Sequence, residues 1–336
     1  MGKASNISTK ANKAKTPRTL IKCGLFLFLI SIIVQPISAL NGAKVGLLLW
    51  FNTVLPTLLP FIILSNFIIR FQVTDYICKV FSPILKRIFH ISAIGCYPII
   101  IGILSGFPMG AKTCSDLIKE GLLDREEGQY IMILVGNASY MFLTSFLAVS
   151  SLAIPNQKYQ LLALVYLSSM ISSSLYRFVN QKRKKKHSTT VYNTNSISIA
   201  ECIDETPLSM TTVDHCILDG FTTITKVGGY IIMFSVLTQI LSTLLEHFGI
   251  ARFLLLGSLE ITTGIYLIAS STLDIAKKIV LTITITSFGG FSSLAQVGSV
   301  IENSGLSLKT YLHYKVINSL FAFLLSISYI SLFNII

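Results

Sequence analysis

The sequence predicts an all-α polytopic membrane protein with two inverted-topology repeats, each containing a broken or re-entrant helix pair. Hydrophobic residues make up 52% of the chain and charged residues only 12%, with a mean hydropathy of +0.70. A soluble domain carries roughly 25% charged residues. Apolar runs long enough to cross a bilayer recur along the chain, and helices satisfy their own backbone groups in lipid. A glycine-broken segment also occurs twice, which favours an internal duplication.

The two copies of the broken segment, residues 106–130 and 290–314, align without a gap. Each copy has a glycine-containing turn and then a polar residue, Lys112 or Gln296, in a small apolar setting. The shared positions are Gly106/Gly290, Phe107/Phe291, Ala111/Ala295, Ser115/Ser299, Gly121/Gly305, Leu122/Leu306 and Tyr130/Tyr314. Duplicated discontinuous helices are typical of transporters with a substrate or ion site at the repeat interface. The alternative is that glycine and phenylalanine recur by chance in an apolar chain.

Lysine and arginine exceed aspartate and glutamate by twelve, and the excess lies in two patches. One patch is the N-terminal tail, and the other is the basic run over residues 182–186. The positive-inside rule predicts that both are cytoplasmic. Neither patch forms a face that could follow a row of phosphates, so nucleic acid is not expected as a partner.

Cysteine and histidine give no sign of metal or redox chemistry. The six cysteines are scattered without a Cys-x-x-Cys motif, which disfavours disulfides and structural zinc. The histidines lack metal-ligand spacing, and no Ser/His/Asp arrangement is visible. We therefore expect no enzyme activity, no metal site and no cofactor.

Charge and hydropathy divide the chain into five parts. They are a basic cytoplasmic tail over residues 1–19, a first transmembrane helix over 20–43, a first repeat over 44–179, a polar cytoplasmic linker over 180–210 and a second repeat over 211–336. The first apolar run is long enough for a retained helix rather than a cleaved signal. Residues 252–271 either span the bilayer or dip into it and return. The predicted location is a cell membrane, with both termini cytoplasmic.

Helix breaks are predicted where glycine or proline interrupts an apolar run. The predicted positions are Pro56, Pro60, Gly106, Pro108 and Gly110 in the first repeat, and Gly289 and Gly290 in the second. Backbone groups freed at such breaks are tolerated only where the segment is buried in protein or lines a wet cavity. For the prolines at 56 and 60, the alternative is a kink that serves packing only.

Glu260 is the outstanding candidate functional residue, because it lies in the middle of an apolar run. A carboxylate at that depth costs several kcal/mol unless it is paired, hydrated or protonated, so such residues usually serve transport or proton relay. The alternative is a protonated side chain that bonds a neighbouring threonine or a backbone carbonyl.

Further polar residues complete the predicted substrate-binding site: Lys112, Asn137, Ser139, Thr262 and Gln296. Lys112 follows the first break, where the N-terminus of a half-helix favours an anion. Its alternative is a lysine that reaches the cytoplasmic surface and pairs with Asp116 or Glu120. Asn137 and Ser139 either bind the cargo or hold helices together beside small neighbours.

Four motifs in this order carry a resemblance to a known family: Leu55-Pro56-Thr57-Leu58-Leu59-Pro60-Phe61, Ser105-Gly106-Phe107-Pro108-Met109-Gly110-Ala111-Lys112, Gly257-x-x-Glu260-x-Thr262-x-Gly264 and Phe288-Gly289-Gly290-Phe291-Ser292-x-x-Ala295-Gln296-Val297. The chain resembles sporulation integral membrane proteins of the YlbJ type, in the nucleoside-recognition, or Gate, superfamily. The resemblance runs from about residue 44 to the C-terminus. The second break lacks the proline of the first, so the two gates need not be equivalent.

That resemblance implies a place in a membrane of the developing spore and a need for the protein in cortex formation. It does not imply a cargo. Together with the intramembrane polar residues, it predicts a transporter of an unidentified small solute or ion. The expected partners are the lipid bilayer, that solute and a second copy of the chain in a homo-oligomer. The alternative is a non-transporting scaffold that recruits spore-envelope factors through the linker.

Overall fold

The computed structural model describes residues 16–71, 73–184 and 210–333. All regular structure in these ranges is helical, and five of the helices are long and apolar enough to cross a membrane. They are Pro36–Ile68, Pro155–Asn180, Met210–Leu244, Ile275–Val300 and Leu308–Phe333. The all-α polytopic class is therefore confirmed. The basic tail up to residue 15 and residues 185–209 of the linker lie outside the described ranges.

The N-terminal helix α1 (Thr16–Val34) ends at Gln35, whose φ of −124° and ψ of 62° are not helical. Helix α2 then begins at Pro36, where the missing backbone donor is tolerated because the first helical N–H has no partner within the helix. The first helix therefore ends earlier than the predicted boundary at residue 43.

The first structural unit runs from α2 to α8 and includes two π-helical segments, π1 and π2. Its elements are α2 (Pro36–Leu49), π1 (Trp50–Val54), α3 (Leu55–Arg70), α4 (Val73–Phe89), α5 (Cys96–Ser105), α6 (Met109–Lys119), α7 (Arg125–Val135), π2 (Phe142–Ser151) and α8 (Lys158–Lys184). Along α4, exposed apolar side chains recur at Tyr76, Val80, Ile84 and Ile88. This spacing is typical of a helix that lies along the membrane surface.

The second unit repeats the order of the first without an equivalent of α4. Its helices are α9 (Met210–Leu244), α10 (Ala251–Leu259), α11 (Ile261–Ala269), α12 (Ile275–Phe288), α13 (Gly290–Val300) and α14 (Leu308–Phe333). Each unit thus has a long helix, a pair of short helices, a helix interrupted near its middle, and a long closing helix. Both interrupted helices begin at an aspartate N-cap, Asp124 for α7 and Asp274 for α12. Hydrogen bonds from the Lys277 ammonium and backbone N–H hold the pKa of the Asp274 carboxyl below its ordinary value.

Equivalent helices of the two units run antiparallel to one another. The end of α3 meets the start of α9, where Asn66 Nδ2 donates to the Cys216 carbonyl at 3.0 Å. The start of α8 likewise meets the end of α14, where Tyr329 OH lies 3.4 Å from Gln157 Oε1. The second unit therefore has the opposite orientation in the bilayer, as an inverted repeat requires.

The short helix pairs fold back on themselves as re-entrant hairpins, because glycines let their backbones touch. A Cβ at Gly110 of α6 would lie 3.1 Å from Gly102 Cα of α5. In the second unit, a Cβ at Gly264 of α11 would lie 2.3 Å from Gly257 Cα of α10. Residues 252–271 therefore dip and return rather than span, which answers the question that the sequence left open.

The hairpins change the correspondence between the two units. The sequence pairs Gly106 with Gly290, but Gly106 lies at the tip of a hairpin, whereas Gly290 begins the second half of a helix whose whole length is enough to span. The hairpin tip that corresponds to Gly106 is at Glu260, between α10 and α11. The ungapped alignment therefore pairs positions that are not structurally equivalent. It does so because a glycine-rich turn occurs both where a chain reverses and where a continuing helix is interrupted.

The described end of α14 lies at the opposite end of the helical bundle from the end of α8 that leads into the linker. The linker end of α8 is marked by Arg177, which donates to the carbonyls of Phe89 and His90. Residue Tyr329, near the end of α14, instead lies beside Gln157, at the other end of α8. Three candidate spans of the described residues, α9, α12–α13 and α14, separate these two ends along the chain. The sequence, in contrast, predicts that the linker and the C-terminus lie on the same side.

The glycine contact inside the second hairpin gives a stability prediction. Gly264→Ala should destabilise the protein by about 1–3 kcal/mol, because the new methyl group overlaps the backbone of the facing helix. The measurement is the melting temperature of the purified protein in detergent. Gly229→Ala in α9 is the matched control, since no heavy atom of the described residues, apart from the adjacent backbone of α9 itself, lies within 4 Å of its Cβ position. Equal melting temperatures for the two variants would contradict a folded-back hairpin.

Candidate functional site

A buried cavity lies where the two hairpin tips and the two interrupted helices converge. Its lining is Val54, Leu58, Ser105, Phe107, Ala138, Ser139, Phe142, Val227, Ile231, Glu260, Ile261, Thr262, Gly289, Ser292, Ser293 and Gln296. The space open to the centre of a water-sized sphere is about 30 Å³, enough for a small ion or one or two waters. Four predicted binding residues, Glu260, Thr262, Ser139 and Gln296, are thereby brought together from both units.

Each hairpin tip abuts the interruption in the next helix of its own unit. At the first tip, Gly106 has a φ of 69°, and a Cβ there would lie 2.5 Å from the Ser139 backbone nitrogen. At the second tip, a Cβ on Gly290 would lie 3.3 Å from the Leu259 carbonyl oxygen. Each interruption thus contacts a hairpin tip and also lines the cavity. Glycine is needed at Gly106 and Gly290 because the two backbones are in direct contact there.

Glu260 is itself the break between α10 and α11, a role that sequence reasoning did not assign to it. Its extended backbone, with φ of −146° and ψ of 120°, ends one helix and caps the next. Oε2 accepts hydrogen bonds from Thr262 Oγ1 and from the Thr263 backbone N–H, the latter at 2.7 Å. The side chain is 2% exposed, and none of the described residues that line the cavity is cationic. The carboxyl is therefore held by neutral donors at a half-helix N-terminus.

Gln296 presents an unused hydrogen-bond acceptor to the same cavity. Its Nε2 lies 3.4 Å from Ser292 Oγ, one turn earlier in α13. Its Oε1 is buried and has no hydrogen-bond partner in the described structure. A buried amide oxygen without a partner costs about 1–3 kcal/mol, so a donor from a bound molecule would relieve a real penalty.

Asn137 lies behind the cavity wall, at the interruption between α7 and π2. Several carbonyls freed at the end of α7 accept hydrogen bonds in this region, as a buried break requires. Ser169 Oγ donates to Leu134 O at 2.7 Å, Asn137 N donates to Val135 O at 2.8 Å, and Phe107 N donates to Asn137 O at 3.0 Å. Asn137 is therefore part of the scaffold of the break, while Ser139 lines the cavity and accepts from Phe142 N to start π2.

Three residues of α14 complete this network, and sequence reasoning missed them. Tyr311, Lys315 and Asn318 are spaced to share one helix face, and all three are buried. Tyr311 OH donates to Gly136 O at 3.1 Å, and Asn318 Nδ2 donates to Ser287 O at 2.9 Å. The available signal was the lysine, because an ionisable residue inside a spanning helix is as unusual as the glutamate at 260.

Lys112 does not belong to the cavity, which corrects its place in the predicted site. Its side chain is 50% exposed, and its ammonium pairs with Asp116 Oδ2 at 3.0 Å. This is the surface ion pair that the sequence offered as the alternative. Helix α6 begins at Met109 and buries Met109, Gly110, Ala111 and Thr113, whereas Lys112 lies on its exposed face.

The predicted breaks divide into those that interrupt a helix and those that do not. Gly289, with a φ of 89°, separates α12 from α13, and Gly290 follows it with a φ of 78°. Pro108 immediately precedes α6, whereas Gly110 lies inside that helix and serves the contact with α5. Pro56 and Pro60 lie within α3, so they do not end it.

The π-helical segment π1 ends at Val54, two residues before Pro56, and leads directly into α3. Thr57 Oγ1 donates to the Thr53 carbonyl at 2.6 Å, which satisfies an acceptor beside the proline. Val54 and Leu58, on either side of Pro56, line the cavity. The irregular turn therefore shapes the cavity wall as well as accommodating the proline.

Gln296→Leu separates a binding role from a structural role for this side chain. Removing a buried acceptor that has no partner should leave stability unchanged or raise it by about 1–3 kcal/mol. If the amide binds cargo, the same variant should lose function although it melts at or above the wild-type temperature. Melting temperature and sporulation phenotype are measured on the same variant. A clear fall in melting temperature would instead assign the amide a structural role.

Comparison with known proteins agrees with this architecture. The chain is 24% identical over 330 residues to the sporulation integral membrane protein YlbJ of Bacillus subtilis (strain 168), and the alignment covers 90% of this chain and 81% of that protein. No family model matches the chain, and no solved structure matches it. At 90% coverage of the chain, the alignment includes residues of both units. The resemblance that the four motifs predict is thus supported along most of the chain, which is similar to sporulation integral membrane proteins of the YlbJ type.

Proposed function

We propose that this protein transports a small solute or ion across a membrane of the developing spore and is needed for cortex formation. The observation that carries the proposal is the cavity at which both hairpin tips and both interrupted helices meet around Glu260. A buried carboxyl without a cationic neighbour is expensive in a membrane and is retained where it serves transport. The similarity to a sporulation protein supplies the biological setting.

The cavity favours a cargo that donates hydrogen bonds or carries positive charge. Its acidic group is Glu260, and its free polar atom is the acceptor oxygen of Gln296. The remaining polar lining is hydroxyl groups, which accept or donate as required. An anionic cargo would meet the carboxylate without compensation, and the volume fits only a small ion, so we propose a small cation.

The second candidate function is a membrane scaffold that does not transport. It follows from the length of the polar linker, which is long enough to recruit spore-envelope proteins. A scaffold would not need a buried acid at the meeting point of two hairpins, so we rank it second. Both candidates leave the protein without enzymatic chemistry, and self-association is compatible with either.

Glu260→Gln tests the transporter. The amide keeps the shape of the side chain and an acceptor for Thr263 N–H but removes the carboxylate, so the protein should accumulate normally. Spores that carry the variant as the sole copy should lose heat resistance to about the extent of a deletion. Glu302→Gln, an exposed position after α13, is the matched control and should give normal spores. Normal heat resistance from Glu260→Gln would favour the scaffold.

Deletion of residues 182–206 tests the scaffold, which should lose its function without the linker. A transporter should tolerate loss of this connection, provided that the remaining residues still join α8 to α9. Membrane insertion is checked by fractionation, and spore heat resistance is the readout. Loss of spores with intact insertion would reverse the ranking. Comparing the small-molecule content of spores with and without the protein would then identify the cargo.

A further inference from the structure

The interruption between α7 and π2 is built around a lysine ammonium that has only neutral partners. Lys315 of α14 is 2% exposed, and its Nζ donates to Gly136 O at 2.7 Å and to Asn137 Oδ1 at 3.2 Å. The ion pairs found in the described residues join Lys112 to Asp116 and Lys277 to Asp274, and neither involves Lys315. A buried charge usually has an opposite charge beside it, so this arrangement needs another explanation.

The oxygens around the ammonium are of the kind that bind a small cation. Gly136 O is a carbonyl freed at the end of a half-helix, where the helix dipole places partial negative charge. Asn137 Oδ1 is an amide oxygen, which Asn318 Nδ2 approaches at 3.4 Å from the other side. Carbonyls of unwound segments and half-helix C-terminal ends are the groups that coordinate coupling cations in transporters with inverted repeats.

The lysine also contacts the second interruption. A Cβ at Gly289 would lie 3.5 Å from Lys315 Cε and 3.8 Å from its Nζ. Gly289 lines the cavity, so the lysine lies on the far side of the cavity wall from the cargo. The side chain is thus enclosed between the two interrupted helices, which excludes a lysine that merely extends toward the membrane surface.

We infer that the break at Gly136 and Asn137 is a monovalent-cation site that the protein fills with its own lysine. The ammonium of Lys315 takes the place of a free ion and neutralises the carbonyl end of α7. The first interruption therefore requires no sodium or potassium from solution. When the lysine head group is removed, the oxygens that held it form a site for a free small cation, with methylammonium as the nearest mimic of the lost group.

The experiment measures the melting temperature of purified full-length protein at constant ionic strength, with choline exchanged for methylammonium, sodium or potassium. The melting temperature of the wild type should not respond. Lys315→Ala in choline should melt lower by on the order of 5 °C, because Gly136 O and Asn137 Oδ1 each lose a buried hydrogen bond. Methylammonium or an alkali cation should restore it in a saturable manner. The effect does not depend on the cargo, so failure of the proposed transport function would not affect this result.

Two matched variants define the outcome. Lys309→Ala removes an exposed lysine from the same helix and should show neither the loss nor the recovery. Lys315→Met fills the space of the side-chain stem without its charge and should remain unresponsive to added cations. Absence of recovery in folded Lys315→Ala would overturn the inference. Failure of that variant to fold in any of these salts, methylammonium included, would overturn it as well, because the oxygens would then not accept a free ion.

Discussion

The structure depends on the requirement that every backbone group freed inside the membrane finds a partner. In the described part of the chain, four interruptions lie within apolar surroundings, two at the hairpin tips and two in the interrupted helices α7–π2 and α12–α13. No water is available in lipid to satisfy them, so they persist only where the protein supplies donors and acceptors. Bringing the interruptions together at one place lets each hairpin tip cover the break in the following helix. The cavity is the space that remains between them.

The long closing helices of the two units, α8 and α14, supply side-chain donors to carbonyls that the interruptions free. Helix α14 presents one polar face to both spanning breaks, through Tyr311, Lys315 and Asn318. Helix α8 contributes serines at 168, 169, 172 and 173, which are fully buried and let the neighbouring helices approach closely. One of these, Ser169, also serves a freed carbonyl of α7. Polar residues that look isolated along the sequence are thus the partners of backbone groups in other helices.

Two buried ionisable groups of opposite sign lie at this centre without pairing with each other. Glu260 faces the cavity and is held by threonine donors, whereas Lys315 lies behind Gly289 and is held by oxygens of the first break. The lysine contacts oxygens of the first break and so serves the framework, whatever the function. None of the described residues that line the cavity beside Glu260 is cationic. The proposed cation transport rests on this unpaired carboxyl.

Composition and apolar run length alone determined the helical membrane class, and the cost of burying charge singled out Glu260. Gly106 and Gly289 were also predicted as breaks, because each lies in a turn-forming sequence that interrupts an apolar run. Only the tertiary structure showed that the chain reverses at Gly106 but continues past Gly289, since the difference lies in whether Gly102 touches Gly110. Only the tertiary structure showed that Lys112 is exposed and that Lys315 is buried, because helix packing decides which residues surround each side chain. Local sequence reports which groups need partners, but the partners lie in helices far along the chain.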